Sequence, residues 1–124
     1  MASELRVNTL KDASGNNSVA MTYVAEGTAK AWVNFNGTGT IATRDSLNVS
    51  GLTDNGTGDY AYAISSAFTN TNYAASVTGR QGGYIGGFYH SGSSASSTRV
   101  FVASDSGAAI DGDVVACGNL GDLA

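Results

Sequence analysis

Cysteine, histidine and proline are nearly missing from this 124-residue sequence, which contains one cysteine, one histidine and no proline. The lone Cys117 excludes a disulfide within the chain, and a cysteine-based metal site would need ligands from elsewhere. Its ordinary interpretation is a buried small apolar side chain, and the alternative is a disulfide between subunits. The lone His90 excludes a multi-histidine zinc site. We therefore expect no metal and no cofactor.

Charged residues are also scarce, since 6 basic and 10 acidic residues give a net charge of −4. A surface that binds nucleic acid needs concentrated positive charge. The basic residues are instead scattered along the chain, at Arg6, Lys11, Lys30, Arg44, Arg80 and Arg99. The sequence therefore predicts no nucleic-acid partner.

Long apolar runs are missing as well. No stretch approaches the length that spans a bilayer, and the N-terminal segment MASELRVNTLKDASG is too polar for a secretory signal. These features predict no membrane insertion, and synthesis and assembly in a cytosol.

The sequence also lacks a recognisable set of catalytic residues. No acidic residue stands in an apolar setting that would raise its pKa, as glycoside cleavage by paired carboxylates requires. Asp105-Ser106-Gly107 and Asp111-Gly112-Asp113 offer oxygen ligands for calcium, but turn chemistry explains them equally well and their spacing does not match the known calcium loop. The glycine-rich stretches lack the strand-to-helix context of a phosphate loop. We predict that the protein is not an enzyme.

What the sequence does contain is 17 glycines and short apolar alternations between Asn-Gly turns. Strand-like segments recur about every 10 to 15 residues, without a helical period longer than a turn or two. This pattern predicts an all-β fold, with a single antiparallel β-sandwich of jelly-roll or lectin-like type over residues 29–124. Residues 1–28 are predicted to form an N-terminal β-hairpin or arm, with strands at Glu4–Leu10 and Val19–Val24, that contacts a neighbouring subunit.

The first strand of the sandwich is predicted at Lys30–Phe35, where alternation places Val33 and Phe35 in the core. Trp32 lies on the opposite face and is predicted to be half exposed. Packing against the arm or a second subunit, packing in the core of the monomer and a ligand surface are the three roles that suit it.

The next segment, Ile41–Leu52, is predicted to alternate so that Leu47 and Val49 face inward, with a short connection or bulge at Arg44 and Asp45.

A hairpin is predicted between Leu47–Leu52 and Tyr60–Ile64, around a six-residue turn from Asp54 to Asp59. Tyr60, Tyr62 and Ile64 fall on one face of the second strand. Further strands are predicted at Tyr73–Thr78, Arg99–Ala103 and near Val114–Cys117.

The stretch RQGGYIGGFYHSGSSASS, residues 80–97, departs from the regular alternation through two Gly-Gly pairs among aromatic residues. Aromatic side chains flanked by glycine can present flat apolar faces to a sugar ring or to a partner surface. A strand whose glycines admit a close neighbour is the alternative. The candidate binding residues are Trp32, Tyr84, Phe88, Tyr89 and His90.

The segment Ala29–Gly79 also carries a resemblance. Its strand and turn WVNFNGTGT precede a hairpin running from NVS to TDNGTGDY and then a strand NYA. In this order the segment resembles tail-fibre and other virion structural proteins of tailed bacteriophages, and SELRVNTLKDASG resembles the arms that open fibre modules. The resemblance implies a virion protein assembled in the host cytoplasm, a homotrimer, and contacts with other virion proteins. It also implies a tail-fibre or fibre-tip module that meets the host surface, with a bacterial surface glycan as its ligand.

Two other functions remain open from the sequence. One is a capsid decoration (cement) protein or head-fibre protein that stabilises the shell, with the arm gripping neighbouring subunits. The absence of a long shaft favours this function and implies a separately encoded virion subunit. The other is a free-standing lectin-like binding module.

Overall fold

The computed structural model describes residues 3–80 and 84–124. In that part of the chain the secondary structure consists of ten strands and one short helix. No helix in it has the length and apolarity that a membrane crossing requires. The elements are β1 Thr9–Lys11, β2 Ser18–Ala20, α1 Met21–Gly27, β3 Ala29–Asn36, β4 Ala42–Leu47, β5 Val49–Gly56, β6 Asp59–Ile64, β7 Ala74–Arg80, β8 Tyr84–Ser94, β9 Ser97–Ser104 and β10 Val114–Leu120.

Strands β3 to β10 form two four-stranded sheets. Sheet I has the strand order β4-β3-β10-β7, and sheet II has the order β5-β6-β9-β8. All strand pairs in both sheets are antiparallel. The inner faces of the two sheets pack together around one hydrophobic core. The predicted antiparallel all-β sandwich is therefore confirmed.

The core follows the alternation of the strands. Val33 and Phe35 of β3 are buried as predicted, and so are Tyr60 and Tyr62 of β6. The rings of Phe35 and Tyr60 meet edge to face across the two sheets, with centroids 5.2 Å apart. Burial of each large side chain contributes about 1.5–3 kcal/mol to stability, so these residues hold the two sheets together.

A buried hydrogen-bonded chain crosses the same core. The Tyr62 hydroxyl donates to Oδ1 of Asn119 at 2.6 Å, and Nδ2 of Asn119 donates to Oγ1 of Thr98 at 3.1 Å. The Tyr73 hydroxyl lies 3.0 Å from the same Thr98 oxygen. Because a buried polar group without a partner costs about 1–3 kcal/mol, this chain fixes how sheet I and sheet II register against each other.

The segment Ile41–Leu52 forms two strands in different sheets, so the predicted hairpin strand Leu47–Leu52 is wrong at its start and begins after Asn48. β4 ends at Leu47 in sheet I, and β5 begins at Val49 in sheet II. Asn48 between them has a φ of 56°, and its amide accepts a hydrogen bond from the Ser66 N–H at 2.6 Å. The left-handed residue shifts the alternation, so Leu47 is 49% exposed and the prediction that it faces the core is wrong.

The predicted bulge in β4 is confirmed. The register between β3 and β4 shifts at Asn34 and Phe35, which leaves Arg44 as an extra residue in β4. Its guanidinium donates to the carbonyl oxygens of Phe35 at 2.9 Å and Asp113 at 2.6 Å. Arg44 therefore ties the bulge to the segment that enters β10.

The hairpin β5-β6 forms as predicted, but its turn is shorter than the six residues expected. Pairing continues to Gly56 and Asp59, so only Thr57 and Gly58 form the turn. Gly58 has a φ of 66°, and a Cβ there would lie 2.3 Å from the carbonyl oxygen of Val102. Glycine is required at this position by the backbone conformation and by the close approach together.

The N-terminal arm, residues 3–27, contains a hairpin of β1 and β2, but the predicted first strand Glu4–Leu10 is wrong before Thr9, because β1 spans only Thr9–Lys11. The predicted strand Val19–Val24 is wrong beyond Ala20, because α1 begins at Met21. Met, Ala and Glu in the segment MTYVAEG have good helix propensities, and the Met21 N–H donates to the carbonyl of Asn8 at 2.9 Å. Every residue of β1 and β2 is exposed, and α1 contains no buried residue.

Candidate functional site

The outer face of sheet II carries a concave aromatic surface, formed where β8 and β9 run side by side. Val100 and Val102 of β9 point into the core, so the alternation turns Arg99 and Phe101 outward. On β8 the same rule turns Gly87 and Tyr89 outward, because Gly87 pairs with Phe101 and Tyr89 pairs with Arg99.

Gly87 allows the ring of Phe101 to lie flat across β8. A Cβ at residue 87 would stand 2.1 Å from Cε1 of Phe101, so any larger side chain would displace the ring. The Tyr89 ring lies beside it, with centroids 4.9 Å apart and planes inclined at 47°. Ile85, which is 51% exposed, extends the same apolar surface. The result is a shelf of aromatic and aliphatic side chains, which we call the aromatic shelf: Ile85, Tyr89 and Phe101.

An ion pair borders the aromatic shelf. Arg99 donates from Nε to Oδ1 of Asp59 at 2.8 Å and from Nη2 to Oδ2 at 2.5 Å. The same guanidinium lies 5.5 Å from the centre of the Tyr89 ring, within the range of a cation–π contact. Hydrogen bonds from Arg99 hold the pKa of the Asp59 carboxyl below its ordinary value. The Arg99–Asp59 ion pair is therefore held in one planar arrangement, and its two charges cancel.

The shelf is the floor of a concavity with a volume of about 530 Å³. One wall is the β5-β6 turn at Thr57 and Gly58, and another is the chain after β9, around Gly107 and Ala109. This chain folds back because Ala109 pairs with Ala103 through an isolated bridge. Ligand pockets in proteins span about 300–1,000 Å³, and most of their lining is apolar. The concavity has the size and composition of a binding site.

Asp111 joins the two walls. Its Oδ1 accepts hydrogen bonds from the Tyr60 hydroxyl at 2.9 Å and from the Gly58 N–H at 2.8 Å. Burial and the neighbouring Asp111 carboxylate raise the pKa of Tyr60, so the phenol stays protonated as the donor. Asp111 of the Asp-Gly-Asp segment therefore has a structural role, because it connects its loop to the β5-β6 turn. Within residues 3–80 and 84–124, no group of three or more His, Cys, Asp or Glu side chains is arranged to hold a metal ion.

The candidate binding residues from the sequence do not lie together. Tyr89 is on the aromatic shelf, whereas Phe88 points inward and its ring lies 5.7 Å from that of Tyr73. His90 is exposed, with its ring 6.1 Å from Phe88. The side chain of Tyr84 falls outside the described part of the chain. Of the candidates on β8 whose side chains are described, Phe88, Tyr89 and His90, only Tyr89 lines the concavity.

Trp32 lies on the outer face of sheet I, on the opposite side of the sandwich. It is partly buried and pairs with Leu47 of β4 and Gly118 of β10. The structure thus confirms its half-exposed position in β3. It also separates Trp32 from the aromatic shelf by the full thickness of the sandwich.

The glycines of β8 agree with the alternative interpretation of that stretch. A Cβ at Gly86 would lie 2.7 Å from the carbonyl oxygen of Val77, so β7 approaches β8 too closely for a side chain. Gly86 and Gly87 therefore serve close packing on both faces of β8, and the second of them also shapes the shelf.

The sequence candidates did not include Asp59, Ile85 and Phe101, which line the concavity, or Arg99, which borders it. Arg99 and Phe101 share a strand, but Asp59 is 40 residues away from Arg99 along the chain. The only sequence signal was the alternation in β9, which leaves an arginine and a phenylalanine opposite two valines. The pairing of β6 with β9 brings the carboxylate to them.

Cys117 is buried on the inner face of sheet I, as its ordinary interpretation predicts. Burial raises the pKa of its thiol to about 12. The thiolate is the reactive form of cysteine, so this side chain is chemically inert in the folded protein.

A second concavity, of about 420 Å³, lies at one end of the sandwich beside Glu26 and Asp122. Its aromatic residues, Phe68 and Tyr73, are buried and stack on each other with centroids 4.5 Å apart. It therefore presents no exposed aromatic face to a ligand, in contrast to the concavity over the shelf.

Comparisons with protein families, with curated proteins and with solved structures each found no match to this chain. We therefore infer function from its own fold and surface. These define a β-sandwich module with an aromatic concavity on one outer face and an exposed arm at the N-terminus.

Proposed function

We propose that this chain is a non-enzymatic structural module of a bacteriophage virion, of the tail-fibre or fibre-tip type, that contacts the host surface. The resemblance of Ala29–Gly79 to such proteins suggests the class. The aromatic concavity on sheet II is the observation that supports host contact, because Tyr89 and Ile85 in it are 42% and 51% exposed. Aromatic residues that are exposed in a concave setting are typical of recognition surfaces.

The arm supports assembly of several copies in the same particle. Leu5 and Tyr23 are 79% and 75% exposed, and a small two-stranded hairpin has too little apolar surface to be stable alone. Apolar residues in an arm of this kind gain stability when a neighbouring subunit covers them. We propose a homotrimer in which each arm packs on another copy or on a neighbouring virion protein.

Localisation on intact particles tests the proposal. Gold-labelled antibody raised against the folded chain, together with cryo-electron microscopy of the virions, is expected to place the protein at the tail or its tip. Particles that lack the protein altogether would overturn the virion function and favour a free-standing lectin-like module.

Capsid decoration is the second candidate, and the exposed arm is the observation that favours it. A regular lattice of label over the shell, lost when residues 3–27 are deleted, would establish this function in place of the first. Deletion of the arm alone is a fair test because none of its residues from β1 to α1 is part of the buried core.

A further inference from the structure

We propose that the concavity over the aromatic shelf binds a neutral pyranose sugar, with Tyr89 and Phe101 beneath the sugar ring and Asp59 accepting a hydrogen bond from one of its hydroxyls. This inference deepens the proposed function and rests on it for the source of the sugar, a polysaccharide of the bacterial surface. The two are tested separately.

The aromatic shelf matches one face of a pyranose ring. A pyranose ring presents C–H groups on its faces and hydroxyls around its edge. Flat aromatic side chains cover the C–H face well, and their polarised rings favour contact with it. The Tyr89 and Phe101 rings have centroids 4.9 Å apart and planes inclined at 47°. Together they form a shallow trough, not a flat surface, and a sugar ring can lie in it.

The carboxylate of Asp59 lies at the edge of the aromatic shelf. Asp59 accepts two hydrogen bonds from Arg99, at 2.8 and 2.5 Å, and a longer one from Asn55 at 3.4 Å. An ionised carboxylate has about four acceptor positions and no donor. Its side chain is 25% exposed, so a hydroxyl donor can reach the position that remains.

The charge of the site decides the class of sugar. Arg99 is already bound in a two-bond arrangement by Asp59, and the pair adds no net charge to the concavity. An acidic sugar would bring a second carboxylate beside Asp59, where like charges repel, and would compete for the same guanidinium. A neutral hexose has only hydroxyls and meets neither obstacle.

The aromatic side chains of the shelf are held in place by their neighbours. The Phe101 ring packs directly against the backbone of Gly87, in the space that a side chain there would fill. Tyr89 is flanked by Phe101 and by the Arg99 guanidinium. Groups that are already fixed in the binding geometry lose little conformational entropy when a ligand arrives. The surface is therefore prepared for a ring-shaped ligand before the ligand binds.

The test is a titration of the full chain, labelled with ¹⁵N, with the methyl glycosides of glucose, galactose and mannose, and with glucuronate as the acidic probe. At least one neutral glycoside is expected to shift the amide resonances of Gly87, Tyr89 and Phe101 while Trp32, on the other sheet, stays unchanged. The neutral probe is expected to bind more tightly than glucuronate.

Two variants with matched controls sharpen the test. Tyr89→Ala is expected to weaken binding of the neutral glycoside about three- to tenfold, whereas Tyr23→Ala in the arm leaves it unchanged. Asp59→Asn is expected to weaken the neutral glycoside about tenfold and to strengthen glucuronate, because Arg99 loses its carboxylate partner. Asp45→Asn, on the outer face of sheet I, is the control for the loss of one negative charge.

Three results would overturn the inference. These are no shift with any neutral glycoside, binding that Tyr89→Ala leaves intact, and shifts that depend on protein concentration without sugar, which would identify a second copy as the occupant. Label at the tail without sugar binding would remove the sugar site and leave the proposed function standing. Sugar binding by a protein that is missing from virions would overturn the proposed function and leave the sugar site standing.

Discussion

The sandwich buries large apolar side chains in its core, whereas the N-terminal arm leaves such side chains exposed. In the sandwich, Phe35 and Tyr60 are fully buried and meet across the two sheets. In the arm, Leu5 and Tyr23 are 79% and 75% exposed, and the hydrogen bonds of the β1-β2 turn are local ones around Asp12. The sandwich thus contains the interactions that stabilise it, whereas apolar side chains of the arm are left exposed. We propose on this basis that the sandwich is responsible for folding and the arm for assembly.

The largest expected difference between the regions comes from truncating one aromatic residue in each. Phe35→Ala is expected to lower the free energy of unfolding by about 3–5 kcal/mol, because it leaves a cavity between the sheets. Tyr23→Ala is expected to change it by less than about 0.5 kcal/mol, since the ring is exposed. Urea unfolding followed by Trp32 fluorescence measures both. Equal losses would show that the arm is part of the cooperative fold.

A smaller difference is expected for two glycines with similar backbone conformations. Gly58 in the sandwich has a φ of 66° and Gly15 in the arm has a φ of 73°, but only Gly58 is crowded by neighbouring backbone. Gly58→Ala is expected to lose about 1–3 kcal/mol more than Gly15→Ala, because the added methyl must displace the Val102 carbonyl. Urea midpoints of the two variants test this. Equal midpoints would mean that backbone strain alone matters at both positions.

A still smaller effect is expected from the ion pair that each region contains. Arg99 and Asp59 are 39% and 25% exposed, whereas Arg6 and Glu4 in the arm are 84% and 66% exposed. The folded-state pKa of Asp59 lies below its unfolded value of about 3.9. Its stabilisation is therefore present above that pH and is lost as the pH falls through the lowered folded-state pKa.

Urea midpoints measured from about pH 6 down to about pH 2 test this comparison. Asp59→Asn is expected to flatten the acid limb of the stability curve, and Glu4→Gln is expected to leave it unchanged, because exposed pairs contribute little. An unchanged limb in Asp59→Asn would show that solvent screens the pair in the sandwich as fully as the pair in the arm.

The smallest effect on stability is expected from removing the arm. Deletion of residues 3–27 is expected to leave the unfolding midpoint unchanged, because the arm contributes no residue to the buried core. The same deletion is expected to convert an oligomer to a monomer in light scattering, since the exposed Leu5 and Tyr23 are lost with it. A deletion variant that remains oligomeric would place the subunit contact on the sandwich.

The sequence by itself determined the fold class and part of the core. Apolar alternation placed Val33 and Phe35 of β3 in the core and put Tyr60 and Tyr62 of β6 on one face, because neighbouring residues of a strand point to opposite faces. The β5-β6 hairpin and the bulge at Arg44 also followed from local signals. These features depend on contacts between residues that are close along the chain or on one strand.

Only the tertiary structure decided the change of sheet at Asn48 and the composition of the aromatic concavity. Asn48 adopts a left-handed conformation because Ser66, far along the chain, fixes its amide. Asp59 and Arg99 meet because β6 pairs with β9, and Phe101 lies across Gly87 because β8 pairs with β9. Strand pairing is a long-range choice among many possible partners, and the alternation of one strand carries no information about which neighbour it takes.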